Sequence, residues 1–205
     1  GGLTVSKSTR TGLATFVDAR GGAGIPIADP SAISPSDRAL SFVESYGRAF
    51  GLRSRSDVSV ERINTDDLGI EHVRMRQVVS GVPVTGGEIV VHMRGDRVLA
   101  AGGKTLGDLD NMGVIPAVAS NEAENTVREF ASQRLNAPDA VLSEPRLEIF
   151  NQGLLNGRDF PTRLAWFVEV RGLALREFFW IDARSKTVLL HFSQLTDTKN
   201  RAIST

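Results

Sequence analysis

The 205-residue chain contains no cysteine, which excludes a disulfide framework, a thiolate-bound zinc or iron-sulfur centre, and a cysteine nucleophile. It has no apolar run of about 18 residues, so no segment reads as a membrane-spanning helix. Neither charge is in excess, with 24 Lys+Arg against 24 Asp+Glu, so nothing draws the chain as a whole to nucleic acid or to an anionic membrane. The opening GGLTVSKSTR is polar and does not read as a signal peptide. What is left is a globular composition, 41% hydrophobic. At this length roughly two thirds of the unfolded surface is buried on folding, enough for one large domain or two small ones. Lack of cysteine does not fix the compartment, because a secreted protein also manages without it.

Reactive motifs are missing as well. The histidines are His72, His92 and His191, and none belongs to H-E-x-x-H, the spacing that puts two imidazoles on one helical face beside a glutamate. His72 shares a strand face with Arg74 and Arg76, whose charges oppose a cation, so the three read as solvated or hydrogen-bonded rings. Gly103-Lys104-Thr105 ends like a phosphate loop, but Val98 stands where that loop needs its first glycine, and no helix opens after it. No G-x-S-x-G elbow occurs. Asp66-Asp67 lies in a turn, where carboxylates bond to the backbone. The residues themselves indicate no catalytic group, no cofactor and no metal.

Organisation is more informative. Residues 1–33 read as an extended N-terminal arm, with Gly21, Gly22 and Gly24 as a flexible connector. Residues 34–104 read as a lobe. Ser34 caps a helix with Pro35 in its first turn and apolar residues at helical spacing up to Gly51. Four strands follow near 58–64, 70–80, 84–93 and 97–104. In the second, Val73, Met75, Gln77 and Val79 point one way and His72, Arg74 and Arg76 the other. Residues 105–118 read as a linker. Residues 119–193 repeat the pattern: a helix capped by Ser120, then strands near 145–150, 163–171, 175–182 and 187–193. The expected fold class is α+β, two similar lobes, each a helix packed on an antiparallel sheet. Residues 194–205 form a polar tail with Leu195 and Ile203 as isolated apolar anchors.

The last three strands carry apolar residues on both faces: Trp166, Val168 and Val170 alternate with Ala165 and Phe167, and Phe178 and Trp180 with Phe179 and Ile181. One helix covers one face, so the second face must meet the other lobe or a partner.

At residues 72–103, HVRMRQVVSGVPVTGGEIVVHMRGDRVLAAGG resembles the fungalysin/thermolysin propeptide motif, with Gln77, the turn Gly81-Val82-Pro83-Val84, and the pair Gly86-Gly87. The second half resembles a PepSY domain through LAWFVEV at 164–170 and FFWIDARSKTVLLHF at 178–192. Lys199-Asn200-Arg201 resembles the junction with a catalytic domain, and TGLATFV near the start resembles the opening of such pro-regions. Val79 departs from the aromatic residue that many members carry, and Ser185-Lys186 from the usual glycine of the last hairpin.

The resemblance implies a non-catalytic pro-region of a secreted or periplasmic thermolysin-like zinc metallopeptidase, an intramolecular chaperone and inhibitor that ends about where the peptidase is cut away. Its partner is the cognate catalytic domain, with no nucleic acid and no membrane involved. Zinc is expected only in that partner. The tail, with Lys199, Asn200, Arg201, Ile203, Ser204 and Thr205, is expected in the active-site cleft. Gln77, Gly81, Pro83, Val84, Gly86 and Gly87 are expected to serve the fold. A freestanding secreted binding module for another partner is the alternative.

Overall fold

In the computed structural model, which describes residues 2–29 and 31–195, the stretch expected to be an extended arm is part of a sheet. Strands β1 (Leu3–Lys7) and β2 (Ala14–Ala19) form an antiparallel hairpin. β2 and the short β3 (Ile25–Pro26) both pair with the strand Arg97–Lys104. Ala14, Val17 and Ile25 are buried by this pairing. The partner strand lies far along the chain, so local periodicity carries no sign of it. The glycine cluster is a tight corner between β2 and β3 and not a flexible connector. Gly24 has φ +68°, and a Cβ there would sit 2.7 Å from Arg97 Cβ, so only glycine lets the corner approach its neighbour.

The helix α1 (Pro35–Tyr46) starts as the sequence requires, with Ser34 Oγ accepting the Asp37 N–H at 3.1 Å. It gives way to a 3₁₀ turn over Gly47–Phe50, closed by Gly51 at φ +78°. Four strands then run as an antiparallel meander: β4 (Val58–Thr65), β5 (Glu71–Val79), β6 (Val82–Arg94) and β7 (Arg97–Lys104). With β2 and β1 added beside β7, neighbours in the sheet follow the order β4-β5-β6-β7-β2-β1. Phe42, Val43, Phe50 and Leu52 pack with Val73, Met75, Ile89, Val91 and Met93 in one core cluster. Each such side chain contributes about 1.5–3 kcal/mol by leaving water.

Compactness divides the chain into two units: residues up to Val114 together with Asn151–Pro161, and Ile115–Phe150 together with Thr162 onward. The stretch read as a patternless linker holds single apolar anchors. Leu106 and Leu109 are buried, as is Val118. The N–H groups of Ala117 and Val118 both donate to Ala183 O, at 2.8 and 2.9 Å.

In the second unit, helix α2 (Ser120–Arg134) is capped by Ala119, one residue before the expected Ser120. The Glu122 carboxylate reaches back to accept the Ala119 N–H at 3.1 Å, half of a capping box. β8 (Val141–Leu142), which the sequence pattern did not show, and β9 (Arg146–Phe150) lie along the same side of β10 (Arg163–Gly172). β11 (Leu175–Asp182) and β12 (Val188–Ser193) complete a second antiparallel meander. Ala123, Val127 and Ala131 of α2 cluster with Val168, Val170, Phe179 and Ile181. Between β9 and β10 the chain returns to the first unit through α3 (Gly153–Asn156). The class is α+β, and each unit contains a helix and an antiparallel meander.

The final turn keeps a tight geometry without glycine. Asp182 Oδ1 accepts the N–H groups of Arg184 and Ser185 at 2.8 and 2.9 Å, and Lys186 takes the left-handed conformation at φ +65°.

Candidate functional site

The residues of the sequence motif meet around one buried side chain. Gln77 is 2% exposed. Its Nε2 donates to Leu106 O at 2.7 Å, and its Oε1 accepts the Leu106 N–H at 2.8 Å. The amide thus pairs with a peptide unit 29 residues away, as a strand neighbour would, and fastens the segment after β7 to β5. Gly87 packs beside it, where a Cβ would lie 2.8 Å from Val84 Cγ1 and 3.1 Å from Gln77 Oε1. Val84 is fully buried. Ser80 and Gly81 both have positive φ, 49° and 83°, and Val79 pairs with Val82 across them. That is the pattern of a two-residue type I′ hairpin turn. Pro83 pairs with Val78, in the part of β6 that precedes its pairing with β7. Gly86, at φ +70°, follows in the same strand.

Gly103 and Lys104 are the last residues of β7, and Thr105 follows it. A Cβ on Gly103 would overlap Glu88 O and lie 2.8 Å from Ile89 Cα, so this glycine serves the close approach of β7 to β6. The Thr105 hydroxyl donates to Phe50 O.

The second unit presents an aromatic face opposite α2. Trp180 is stacked between Phe150 and Phe192, with ring centroids 5.0 and 5.7 Å away and planes within 22° and 19°. Phe167 tilts against it at 5.1 Å. The indole N–H donates to Glu148 Oε2 at 3.1 Å, and Arg146 meets the other oxygen at 3.2 Å. Arg146 also lies 4.6 Å from the Phe167 centroid, and Arg176 5.5 Å from that of Phe178. Glu169 accepts from Arg171 and Arg176, both at 2.7 Å. Hydrogen bonding from Arg171 first, and from Arg176, holds its pKa down at about 2 against the opposing effect of burial. Phe192 remains 36% exposed and Leu195 47%. Phe150, Phe167 and Trp180 are themselves buried, a second core cluster of this unit, with Phe192 at its exposed margin. Among the described residues β12 pairs only with β11, leaving a sheet edge beside this face.

Two histidines that are far apart in sequence stand side by side. His72 on β5 and His92 on β6 are register partners, with Nδ1 atoms 2.6 Å apart. His72 Nε2 lies 3.1 Å from Asp66 Oδ2. Burial first, and the charge of His72 second, push His92 below the usual histidine range. Asp66 also does the turn work expected of it, its Oδ1 accepting the N–H groups of Leu68 and Ile70 at 2.9 Å each. The arginines expected to oppose a cation are paired, Arg74 with Glu88 and Arg76 with Glu61 at 2.6 Å. His191 lies elsewhere, stacked on Phe179 at 5.2 Å. Sequence spacing hid the His72–His92 pair because cross-strand register, and not a helical interval, creates it. Among the described residues no group of three or more His, Asp or Glu side chains is placed to hold a metal ion, and no helix is long and apolar enough to cross a membrane.

The tail residues Lys199, Asn200, Arg201, Ile203, Ser204 and Thr205 lie outside the described residues.

Among solved structures, the Bacillus megaterium YpeB C-terminal domain is similar, with a TM-score of 0.40 and 10% identity over 95% of this chain and 90% of that one. No curated protein sequence matches the chain. The turn built by Ser80 and Gly81, the buried Gln77 and the Gly86-Gly87 pair all fall within residues 56–105, which match the family described as Fungalysin/Thermolysin Propeptide Motif.

Proposed function

We propose that this chain is the pro-region of a secreted or periplasmic thermolysin-like zinc metallopeptidase, acting as its intramolecular chaperone and inhibitor. The observation that carries the reading is the propeptide motif at residues 56–105. The edge of β12, which among the described residues pairs only with β11, and the exposed Phe192 and Leu195 beside it support docking on a protein partner. In this reading the motif residues keep the first unit rigid, and the tail performs the inhibition. An extended segment pairs its backbone with an enzyme edge strand and places successive side chains in pockets. Ile203, Ser204 and Thr205 fill successive subsites beside the partner's zinc. Lys199, Asn200 and Arg201 lead the chain into the cleft. After cleavage, the docked units hold the tail at high effective concentration and slow its release.

The test is inhibition in trans. The full chain, added to the mature cognate peptidase, is expected to inhibit at micromolar concentration or below. A variant lacking residues 194–205 is expected to bind the enzyme yet lose inhibition. No inhibition by the full chain refutes the inhibitor role, and equal inhibition by both forms refutes the assignment of the tail.

A further inference from the structure

We propose that His72 and His92 form a proton-operated latch across β5 and β6, closed while the pair carries at most one charge and forced open when both rings are protonated. The latch is independent of the pro-region reading. The two side chains face each other from register partners, with Nδ1 atoms 2.6 Å apart and the rings nearly perpendicular, at 78°. At that distance one nitrogen donates a proton and the other accepts it on its lone pair. On the far side of His72, Nε2 lies 3.1 Å from Asp66 Oδ2, and the carboxylate accepts the Nε2–H. Two protonation states satisfy this chain of groups. With both rings neutral, His72 carries its proton on Nε2 and accepts from His92 Nδ1–H. With one added proton, an imidazolium at His72 donates to Asp66 on one side and to the His92 lone pair on the other. A second added proton leaves no lone pair between the rings. Two N–H groups on two cations then point at each other, and the contact breaks.

The surroundings oppose the second proton. Asp66 is held below the ordinary carboxylate range, by the N–H of Ile70 first, and so stays ionised where histidines titrate. It offsets one imidazolium and not two. Asn64 stands opposite His72 on β4, and Ala100 opposite His92 on β7; both are uncharged. Asp18 is one strand further, opposite Ala100. Arg74 and Arg94 are two residues along from the rings on the same face, with Arg62 and Arg97 opposite them. Arg74 is paired with Glu88, and Arg94 donates to Leu68 O at 3.2 Å. Burial first, and the charge of His72 second, push His92 below the ordinary 6.5. The unfolded chain therefore takes up that proton before the folded one. The stability of the closed pair is complete above about pH 6.5 and is lost as the pH falls through the lowered value of His92. One proton changes the opening equilibrium by at most about tenfold per pH unit. β5, β6 and the turn between them carry Gln77, Gly81 and the Gly86-Gly87 pair, so the strands that loosen in acid lie within the matched propeptide motif.

The histidine ring resonances of the full chain are followed from about pH 7.5 to about pH 5, together with amide exchange in β5 and β6 corrected for the intrinsic pH dependence of exchange. His92 is expected to titrate below 6.5, and protection of the strand pair to fall by up to about tenfold per pH unit as it does so. In His72→Gln the His92 midpoint is expected to move up, because the neighbouring charge is gone. In His92→Gln the acid loss of protection is expected to disappear. A wild-type His92 midpoint at or above 6.5 overturns the proposal. So does protection that stays flat across this range in wild type, or that declines equally in folded His92→Gln, or a His92 midpoint unmoved in folded His72→Gln. The wild-type titration and exchange decide the matter even if a variant fails to fold.

Discussion

Replacing Gln77 by leucine tests the packing account of the motif at its centre. The substitution keeps an apolar stem of similar size and removes both partners of the Leu106 peptide group. A buried N–H and a buried C=O are then left unpaired, at about 1–3 kcal/mol each. Part of that is regained because leucine, unlike an amide, costs nothing polar to bury, which leaves a net loss of about 3 kcal/mol. For a chain of this length, such a loss lowers the melting temperature by roughly 6–12 °C. Gln77→Glu is expected to lose as much, since one carboxylate oxygen then faces the Leu106 carbonyl. Urea unfolding followed by circular dichroism measures the change, with an unaltered slope showing that the folded state keeps its compactness. Amide exchange at Leu106 gives the local readout and is expected to accelerate. A Gln77→Leu protein within about 0.5 kcal/mol of wild type, with Leu106 protection intact, refutes the reasoning.

Gly103→Ala is expected to destabilise the first unit severely, by at least about 3 kcal/mol, because the new Cβ meets the backbone of Glu88 and Ile89, which cannot rotate away. Thermal unfolding of the purified variant measures it. Lys186→Gly relieves a left-handed lysine, φ +65°. A gain of up to about 1 kcal/mol is expected, reduced by the added freedom of the unfolded chain, and chemical denaturation reads its sign. Glu169 titrates from about 2 in the folded protein, against the ordinary 4.5. The unfolded chain therefore takes up the proton first. The stabilising contribution of this carboxylate is complete above about pH 4.5 and disappears as the pH falls to about 2. Urea midpoints across this window are expected to slope less steeply in Glu169→Gln than in wild type.

What was legible in the sequence were the features written in local order. Ser34 and Pro35 announced α1, and the alternation from His72 to Val79 announced β5. The repeated sequence of one helix and four strands matched the order of elements around β4–β7 and β9–β12. The two-sided apolar pattern of β10 and β11 anticipated a second buried face, and Trp180 now stands in it between Phe150 and Phe192. The misses concern partners distant along the chain. β1, β2 and β3 owe their existence to β7, and their short, weakly alternating segments show nothing of that until the register is known. Leu106 and Leu109 carry no period because a single anchored turn needs none. The Gln77 side chain was visible as a motif marker, but its bond to Leu106 was not. His72 and His92 became a pair only when the β5–β6 register placed them opposite each other.

Association with a catalytic domain is the claim on which the functional reading stands. Calorimetric titration of the full chain into the zinc-loaded catalytic domain of its cognate thermolysin-like peptidase measures it directly. A one-to-one complex with submicromolar affinity is expected. Absence of detectable association at micromolar concentrations of both proteins would contradict the account.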